Sequence, residues 1–322
     1  MSGRPVRVGV VGRGFGARVV APVFEETDGC AVVDVVSPRD DEAVRSLCRR
    51  TDLDLVCVHS PPFLHLDHVR WAVEAGHSVL CDKPFGRSAG DAAQMLELAR
   101  AAGTVHLLNF EFRFHPAREA LRALVLDGAV GSLEHVQWSQ FSAGSRRPLR
   151  RFGWLFDAEL GGGWIGAWGS HALDFLRWTL GDLRVASVER RTAIAQRPDA
   201  DGRLHRCTAE DGFTAALASA AGVTVAIDTT FVAPINLPGR VTVIGADGVL
   251  EMTGDHRITL QTDTGISEEF ALEHGRGDPH LLPMRRWAEV VRDTVRGDAD
   301  LPGTPTFVDG LACARLMDEL RA

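Results

Sequence analysis

The sequence contains no tyrosine and only one lysine, so 34 of its 35 basic residues are arginine. Without tyrosine no phenol can act as a catalytic acid, and any chemistry that needs an ammonium group depends on Lys83. No apolar run approaches the roughly 18 residues that cross a membrane. No Cys-x-x-Cys pair or other ligand spacing indicates a metal site. The net charge of −8 argues against a nucleic-acid partner.

The rest of the composition is typical of an ordinary globular protein, with 45% hydrophobic and 24% charged residues. A length of 322 residues predicts about two domains. The six cysteines are scattered, and several lie inside apolar segments, which is typical of reduced packing residues. No apolar signal segment precedes the first predicted strand, so we expect a cytoplasmic protein.

Residues 1–118 alternate between short apolar segments and amphipathic ones. The predicted strands are Val6–Val11, Ala31–Val36, Leu53–His59, Ser78–Asp82 and Val105–Asn109. The predicted helices follow the first four strands and include Asp41–Arg50, Leu64–Ala75 and Gly90–Ala102. This alternation is typical of βαβ units and predicts an α/β domain with a Rossmann-type, doubly wound parallel sheet.

Beyond residue 118 the pattern changes to strands of alternating polarity, such as Leu133–Ser142, joined by tight turns. Helices are predicted over His171–Thr179, Leu281–Val295 and Val308–Leu320. We therefore predict an α+β domain with an open, mostly antiparallel sheet over residues 119–322, whose last helix could return to the first domain. Because an open sheet leaves one face uncovered, we expect a homodimer or homotetramer.

The first predicted strand ends in a glycine-rich loop, Gly12-x-Gly14-x-x-Ala17. In dinucleotide sites the first glycine allows a tight turn, the second lets the pyrophosphate approach the backbone, and the small third residue lets the next helix pack closely. The position of the loop after a strand and before a helix supports this interpretation. The expected cofactor contacts here are Gly12, Gly14, Phe15, Gly16 and Ala17.

The end of the second strand predicts the choice of cofactor. NAD sites usually carry an acid there, whereas this chain has Ser37-Pro38-Arg39. A hydroxyl and a guanidinium suit the 2′-phosphate of NADP, which we favour. In the alternative, Arg39 is a solvated surface residue, Asp40 or Asp41 reaches the ribose, and the cofactor is NAD.

Two more strand ends supply candidate residues. Prolines break the chain after the third strand, and we expect Ser60, Pro61 and His65 to lie over the cofactor site. In the alternative, His65 is an ordinary histidine at the start of a helix. Lys83 follows the fourth strand, at the edge where α/β sheets place their chemistry. It is a catalytic candidate because a lysine amine is compact and can titrate when buried, which a guanidinium cannot.

These motifs and several later ones resemble the glucose–fructose oxidoreductase and inositol dehydrogenase family (Gfo/Idh/MocA). The similar segments are the glycine loop and residues 54–62, 75–84, 109–116, 161–163, 169–174 and 306–311. The family's signature usually reads Glu-Lys-Pro, and here Asp82 stands in place of the glutamate. The resemblance extends over nearly the whole chain.

The resemblance implies a role for each matching residue. Lys83 would lie beside the nicotinamide and the reacting carbinol, Asp82 would bind the nicotinamide ribose, and His171 would be the general acid–base. Removing a hydride from a C–OH group requires removal of the hydroxyl proton, and imidazole titrates near neutral pH. Asp174, three residues further along a predicted helix, would orient the His171 ring or would only interact with the helix dipole.

Substrate binding is predicted for Arg113, Trp164, Trp168 and Asp174. Arginine binds hydroxyls or a carboxylate, and tryptophan rings stack on the C–H faces of sugars, although each tryptophan could equally be a core residue. The chain departs from the family at Ala167, which replaces the aspartate of the usual Asp-x-Gly-x-His pattern. That change leaves His171 and Lys83 to share the proton transfer.

The sequence therefore predicts an NAD(P)-dependent dehydrogenase or reductase, with NADP favoured, that acts on the alcohol or ketone of a sugar, cyclitol or polyol. Two alternatives stay open. One is an NAD-dependent glycosidase that oxidises and re-reduces its substrate transiently, and the other is a non-catalytic regulator that binds a dinucleotide as a signal. The missing aspartate slightly favours the regulator, whereas Lys83 and His171 favour an enzyme.

Overall fold

The structure is a computed structural model that describes residues 4–273, 277–298 and 303–322. The chain divides into two compact units. The first unit comprises the chain up to Phe114 together with Gly277–Arg315. The second comprises the intervening chain from His115 onwards, together with Leu316–Ala322.

The first unit is built on a five-stranded parallel sheet of order β2-β1-β3-β4-β5. The strands are β1 (Val6–Val11), β2 (Cys30–Val36), β3 (Leu55–Val58), β4 (Ser78–Cys81) and β5 (His106–Leu108). Every residue of β3 is fully buried, as expected of a parallel strand covered on both faces. The strand order reverses between β1 and β3, and ligands bind at the carboxyl ends of strands at such a point.

Four helices connect these strands: α1 (Ala21–Glu26), α2 (Asp41–Cys48), α3 (Pro62–Glu74) and α4 (Ala89–Ala102). A π-helical turn, Gly16–Val20, leads into α1. Two helices begin at side-chain caps, because Asp40 accepts a hydrogen bond from the Ala43 amide and Ser88 accepts one from the Asp91 amide. The Rossmann-type parallel sheet predicted from the sequence is confirmed.

The second unit contains an eight-stranded sheet of order β15-β14-β13-β12-β6-β11-β10-β7, with a separate two-stranded β8–β9 ribbon. Its strands are β6 (Leu133–Phe141), β7 (Leu183–Arg191), β8 (Gln196–Pro198), β9 (Leu204–Arg206), β10 (Gly212–Ser219), β11 (Thr224–Thr230), β12 (Arg240–Gly245), β13 (Gly248–Thr253), β14 (Arg257–Thr262) and β15 (Gly265–Ala271). Its helices are α5 (Pro116–Leu126) and α6 (Ser170–Leu180). All neighbouring pairs in the large sheet are antiparallel except β6 and β11, so the mostly antiparallel sheet is confirmed.

Helix α7 (Leu281–Arg296) belongs to the first unit although it follows the whole antiparallel sheet in sequence. Met284, Trp287, Ala288 and Val291 are buried in the same core as the valines of β1. The last helix, α8 (Phe307–Arg321), crosses from the first unit into the second. The sequence-based division at residue 118 therefore differs from the compact units, because the apolar side of α7 completes the core of the parallel sheet.

The sequence patterns did not predict α5, β8, β9 or β15. Helix α5 begins directly at Pro116, in the first helical position that proline favours, and His115 accepts a hydrogen bond from the Ala117 amide. Strand β15 lies at the edge of the sheet and contains Glu268 and Glu269, which weaken the alternation of apolar and polar residues.

Candidate active site

The glycine loop lies at the carboxyl end of β1, beside the end of β3. Gly12 has φ +154°, and a Cβ atom placed on it would come within 2.7 Å of the His59 carbonyl oxygen. A Cβ on Gly16 would contact Val10 and the His59 side chain at 3.1–3.2 Å. By contrast, a Cβ on Gly14 would meet no atom within 4 Å. Gly12 and Gly16 are therefore needed for close packing, whereas Gly14 borders open space that a pyrophosphate could enter.

The Phe15 side chain extends from this loop towards two imidazoles. Its ring centroid lies 5.7 Å from that of His59 and 5.0 Å from that of His280. The Nδ1 atom of His280 lies 2.6 Å from a carboxylate oxygen of Glu111, which is fully buried. His280 precedes α7, so this part of the loop is supported by a segment far away in sequence.

The end of β2 carries the residues predicted to choose the cofactor. The Ser37 hydroxyl accepts a hydrogen bond from the Arg39 amide, and the Arg39 side chain is exposed. Asp40 caps the amino terminus of α2, so its carboxylate is already hydrogen-bonded to the backbone. Asp41 lies in the first turn of that helix. The serine and the guanidinium therefore lie nearest the end of the strand.

The chain after β3 is held by two buried histidines. His65 Nε2 lies 2.7 Å from the Ser60 carbonyl oxygen, and His68 Nδ1 lies 3.0 Å from the Ser60 hydroxyl. Burial lowers the pKa of both imidazoles to about 4, so both are neutral at pH 7. Pro61 directly precedes α3 and is partly exposed. His65 has no exposed surface and contacts the Ser60 backbone from inside the unit. Its contact with the cofactor stays a prediction.

These two histidines predict an acid-sensitive fold. The pKa values of both histidines are lower in the folded chain than the usual 6.5. Between pH 6.5 and about 4 the unfolded chain therefore binds more protons than the folded chain, and the folded state becomes less stable as the pH is lowered. Each contributes at most roughly 3 kcal/mol to this loss. Urea denaturation at a series of pH values should show the free energy of unfolding falling across this range. His68→Gln should make the fall shallower, and an unchanged slope would contradict the assignment.

Asp82 is the centre of a polar cluster at the end of β4. Its carboxylate lies 3.3 Å from His59 Nδ1, and it accepts hydrogen bonds from the Asn109 side chain at 3.2 Å and from the Lys83 amide at 2.9 Å. Burial would raise the pKa of Asp82, but His59, Lys83 and Asn109 outweigh it and hold the pKa below its usual range. Asp82 is therefore an acceptor at neutral pH, beside the partly exposed Lys83.

His59 is a site residue that the sequence analysis did not select. It is buried, it contacts the glycine loop through Gly12, Gly16 and Phe15, and it also lies against Asp82. The one sequence signal that could have identified it is its position directly after β3, at the reversal of strand order.

In the second unit the predicted acid–base and aromatic residues lie around the start of α6. A π-helical turn, Ile165–Gly169, continues into α6, which carries His171 and Asp174, both buried. Trp164 stacks on Phe231, with centroids 4.4 Å apart, and donates a hydrogen bond from its indole to the Thr229 hydroxyl. Trp168 packs edge-on against Trp138. Both tryptophans thus have packing roles, and contact with a substrate remains a prediction for them.

Glu210 holds this turn in place. Its carboxylate accepts a hydrogen bond from the Ile165 amide at 2.9 Å, and burial raises its pKa. Gly163 has φ +104°, and a Cβ there would overlap the Glu210 carboxylate. Nothing in the local sequence around Glu210 indicated this role, because its partner lies 45 residues away.

Two arginines are paired with acids within their own units. Arg113 donates to Asp309 at 2.8 Å and to the Gly303 carbonyl in the first unit. Arg118 forms a two-bond ion pair with Asp255 in the second unit. The second pair borders a concavity of about 170 Å³, lined also by Trp138, Gln140, Gly239, Val241, Met252 and Gly254. Arg113 was predicted to bind substrate, and any such contact would have to be made while its guanidinium is also paired with Asp309.

Within the described residues, no three His, Cys, Asp or Glu side chains converge in the way a metal ion needs. None of the helices in the same part of the chain combines the length and the apolar character that crossing a membrane requires.

Comparison with known proteins identifies the family. Residues 41–110 match the oxidoreductase family with an NAD-binding Rossmann fold, and residues 119–251 match the GFO/IDH/MocA C-terminal domain. An uncharacterized oxidoreductase of Synechocystis sp. is 30% identical over 266 residues, which cover 77% of this chain and 72% of that protein. The chain belongs to the Gfo/Idh/MocA family. This membership confirms the resemblance and makes the protein an NAD-binding oxidoreductase.

Two further relatives of the Gfo/Idh/MocA protein are informative. The D-apiose dehydrogenase of Paraburkholderia graminis is 25% identical over 314 residues, covering 89% of this chain and 76% of that enzyme. The structure of levoglucosan dehydrogenase in complex with NADH and levoglucosan superposes with a TM-score of 0.84 at 17% identity, covering 98% of this chain and 96% of that one. The second comparison confirms the fold.

Proposed function

We propose that the protein is an NADP-preferring oxidoreductase that transfers a hydride between nicotinamide and a CH–OH or keto group of a sugar, cyclitol or polyol. The observation that carries this proposal is the cluster at the carboxyl ends of β1, β3 and β4, where the open side of Gly14, the His59–Asp82 pair and Lys83 belong to one unit. The sugar class is supported by the relatives named for D-apiose and levoglucosan.

Residues of this chain fit a dinucleotide. The backbone at Gly14 and the following helical turn would hold the pyrophosphate, because a side chain is absent where the phosphates must approach. Ser37 and Arg39 would bind the 2′-phosphate of the adenosine, and Asp82 would accept a hydrogen bond from the nicotinamide ribose. When bound, the cofactor supplies a hydride acceptor or donor.

The chain's own residues would manage the proton and the charge. In alcohol oxidation the hydroxyl proton passes to His171, and in ketone reduction it returns from His171. The Lys83 ammonium stabilises the negative charge that develops on the substrate oxygen. Asp174 and Trp168 keep the predicted roles of substrate contacts.

The preference for NADP is tested at the end of β2. Asp40 is engaged in capping α2, so its carboxylate could reach a ribose only with loss of the cap, and Asp41 in the first turn of that helix stays the alternative acid. We expect Ser37→Asp combined with Arg39→Ala to shift the ratio of NADPH to NADH affinity towards NADH by about tenfold or more. Titrating tryptophan fluorescence with each cofactor measures this ratio, and an unchanged ratio would mean that other residues select the cofactor.

The proposed activity is tested by following the absorbance of NADPH with a panel of sugars, cyclitols and polyols, after both cofactors have been titrated. Tight NADPH binding with turnover of at least one compound supports the proposal. Cleavage of a glycoside without net change in cofactor would favour the glycosidase, and binding without any chemistry would favour the regulator.

We also propose that the protein is cytoplasmic and that the face of the large sheet opposite α5 and α6 mediates a homodimer or homotetramer. That face carries the exposed Gln137 and the partly exposed Thr242 and Thr259. Light scattering on the purified protein measures the oligomeric state, and a monomer at working concentration would contradict this assembly.

A further inference from the structure

Residues 142–156, here called the arginine loop, concentrate positive charge on the second unit. The segment contains Arg146, Arg147, Arg150 and Arg151 and no acidic residue, in a chain whose net charge is −8. All four arginines are exposed. Four guanidinium groups without an acid in the same segment concentrate positive charge on this part of an otherwise acidic protein.

The arginine loop is held in one conformation by a buried guanidinium. Arg197 has no exposed surface, and its Nη1 donates hydrogen bonds to the carbonyls of Ser145 at 2.7 Å and Arg150 at 2.9 Å. The same guanidinium lies 4.0 Å from the ring centroid of Phe156. Burying a charged group costs free energy unless the group is hydrogen-bonded. The bonds from the buried Arg197 guanidinium to two backbone carbonyls therefore indicate that the arginine loop has a defined conformation.

The loop also lies next to the predicted substrate residues of its own unit. The Ser145 amide donates to the Phe231 carbonyl at 3.0 Å, and the Arg146 side chain donates to the Val232 carbonyl. Phe231 in turn stacks on Trp164, which immediately precedes the turn leading to His171. The positive charge is therefore anchored to the same aromatic cluster that begins the predicted substrate site.

Two other arginines are already neutralised by acids. Arg113 is paired with Asp309, and Arg118 is paired with Asp255. By contrast, the side chains of Arg147 and Arg151 make no hydrogen bond or ion pair with any part of the chain that the structure describes. An anion would therefore find unpaired guanidinium groups on the arginine loop rather than at Arg113, where the sequence had suggested carboxylate recognition.

We propose that the arginine loop binds an anionic group of the substrate, a carboxylate or phosphate carried by the sugar away from its reacting carbon. This inference rests on the proposed function. Guanidinium groups form paired hydrogen bonds with both carboxylates and phosphates. The positive loop would also raise the local concentration of an anionic sugar beside an otherwise acidic protein.

The test compares neutral sugars with their anionic counterparts at saturating NADP. Glucose, galactose and mannose are each assayed beside the matching uronate and 6-phosphate, at about 20 mM and about 300 mM salt. We expect at least one anionic compound to exceed its neutral parent in kcat/KM by about tenfold at low salt, with a smaller advantage at high salt. The two kinds of anion distinguish carboxylate from phosphate recognition.

The variant Arg147→Gln/Arg151→Gln should remove this advantage and leave kcat/KM for the neutral parent within about twofold. The control Arg49→Gln/Arg184→Gln removes the same charge at exposed positions outside the loop and should retain the advantage. Equal kcat/KM values for neutral and anionic sugars, or a higher kcat/KM for the anionic sugar that persists in the loop variant, would overturn the proposed anion site. Turnover of neutral sugars would in either case still support the proposed oxidoreductase activity. If no sugar is oxidised, calorimetry with the same anions decides: binding that needs both arginines supports the proposal, and no binding overturns it.

Discussion

Replacement of Lys83 by arginine should lower kcat by about 10²–10³-fold while leaving the affinity for NADPH within about threefold. The substitution retains the positive charge, but a planar guanidinium cannot occupy the position of a compact ammonium beside the substrate oxygen. Lys83 follows directly from Asp82, whose carboxylate is held by His59 and Asn109, so its backbone position is well defined. Steady-state turnover and fluorescence titration measure the two quantities separately.

Two variants make this result interpretable. Arg87→Lys changes an exposed guanidinium in the same loop, paired with Asp91, and should leave kcat nearly unchanged. Lys83→Met removes the charge altogether and should reduce kcat at least as much as Lys83→Arg. If Lys83→Arg retained near-normal turnover, any positive charge would suffice at this position and the requirement for a compact ammonium would be wrong. If Lys83→Met also retained it, Lys83 would have no catalytic role.

Replacement of Gly14 by alanine should weaken cofactor binding by at least tenfold, about 1.4 kcal/mol, without lowering the melting temperature of the cofactor-stripped protein. The added methyl meets no atom within 4 Å in the protein itself, so the fold has no reason to respond. The same methyl would project into the space that the pyrophosphate needs. Differential scanning fluorimetry without cofactor and titration with NADPH measure the two effects.

Gly12→Ala is the matched comparison, because its methyl would lie 2.7 Å from the His59 carbonyl oxygen in a backbone conformation that favours glycine. We expect this variant to lose roughly 2 kcal/mol of stability even without cofactor. A Gly14→Ala protein that bound NADPH normally would show that the pyrophosphate does not approach this part of the loop.

Patterns close together in sequence predicted the fold well. The alternation of buried strands and amphipathic helices up to residue 118 identified each strand of the parallel sheet, since burial on both faces leaves continuous apolar segments such as Leu55–Val58. Edge strands have a weaker alternation of apolar and polar residues, because fewer of their side chains are buried. Strand β15, which contains two adjacent glutamates, was therefore not predicted. Helix α7 was predicted, but its place in the core of the first unit was not, since no local pattern tells which of two cores a helix joins.

The candidate site was predicted unevenly for a similar reason. Residue types with a distinctive chemistry at a strand end, such as Lys83 and the Ser37–Arg39 pair, could be selected from the sequence alone. The partners that set their environment could not. Arg113 and Asp309 are 196 residues apart along the chain, and the contact between His59 and Asp82 depends on how two neighbouring strands are aligned. Pairing of this kind decides which charges remain available for a ligand.

The burial of Trp287 among the valines of the parallel sheet has a consequence for biosynthesis. A nascent chain that has emerged as far as Phe114 has all five strands of that sheet but lacks the α7 residues that cover part of it. Domains usually fold in order as they leave the ribosome. We therefore expect this amino-terminal segment to expose apolar surface until the antiparallel sheet has also been synthesised, and to be a chaperone client during translation.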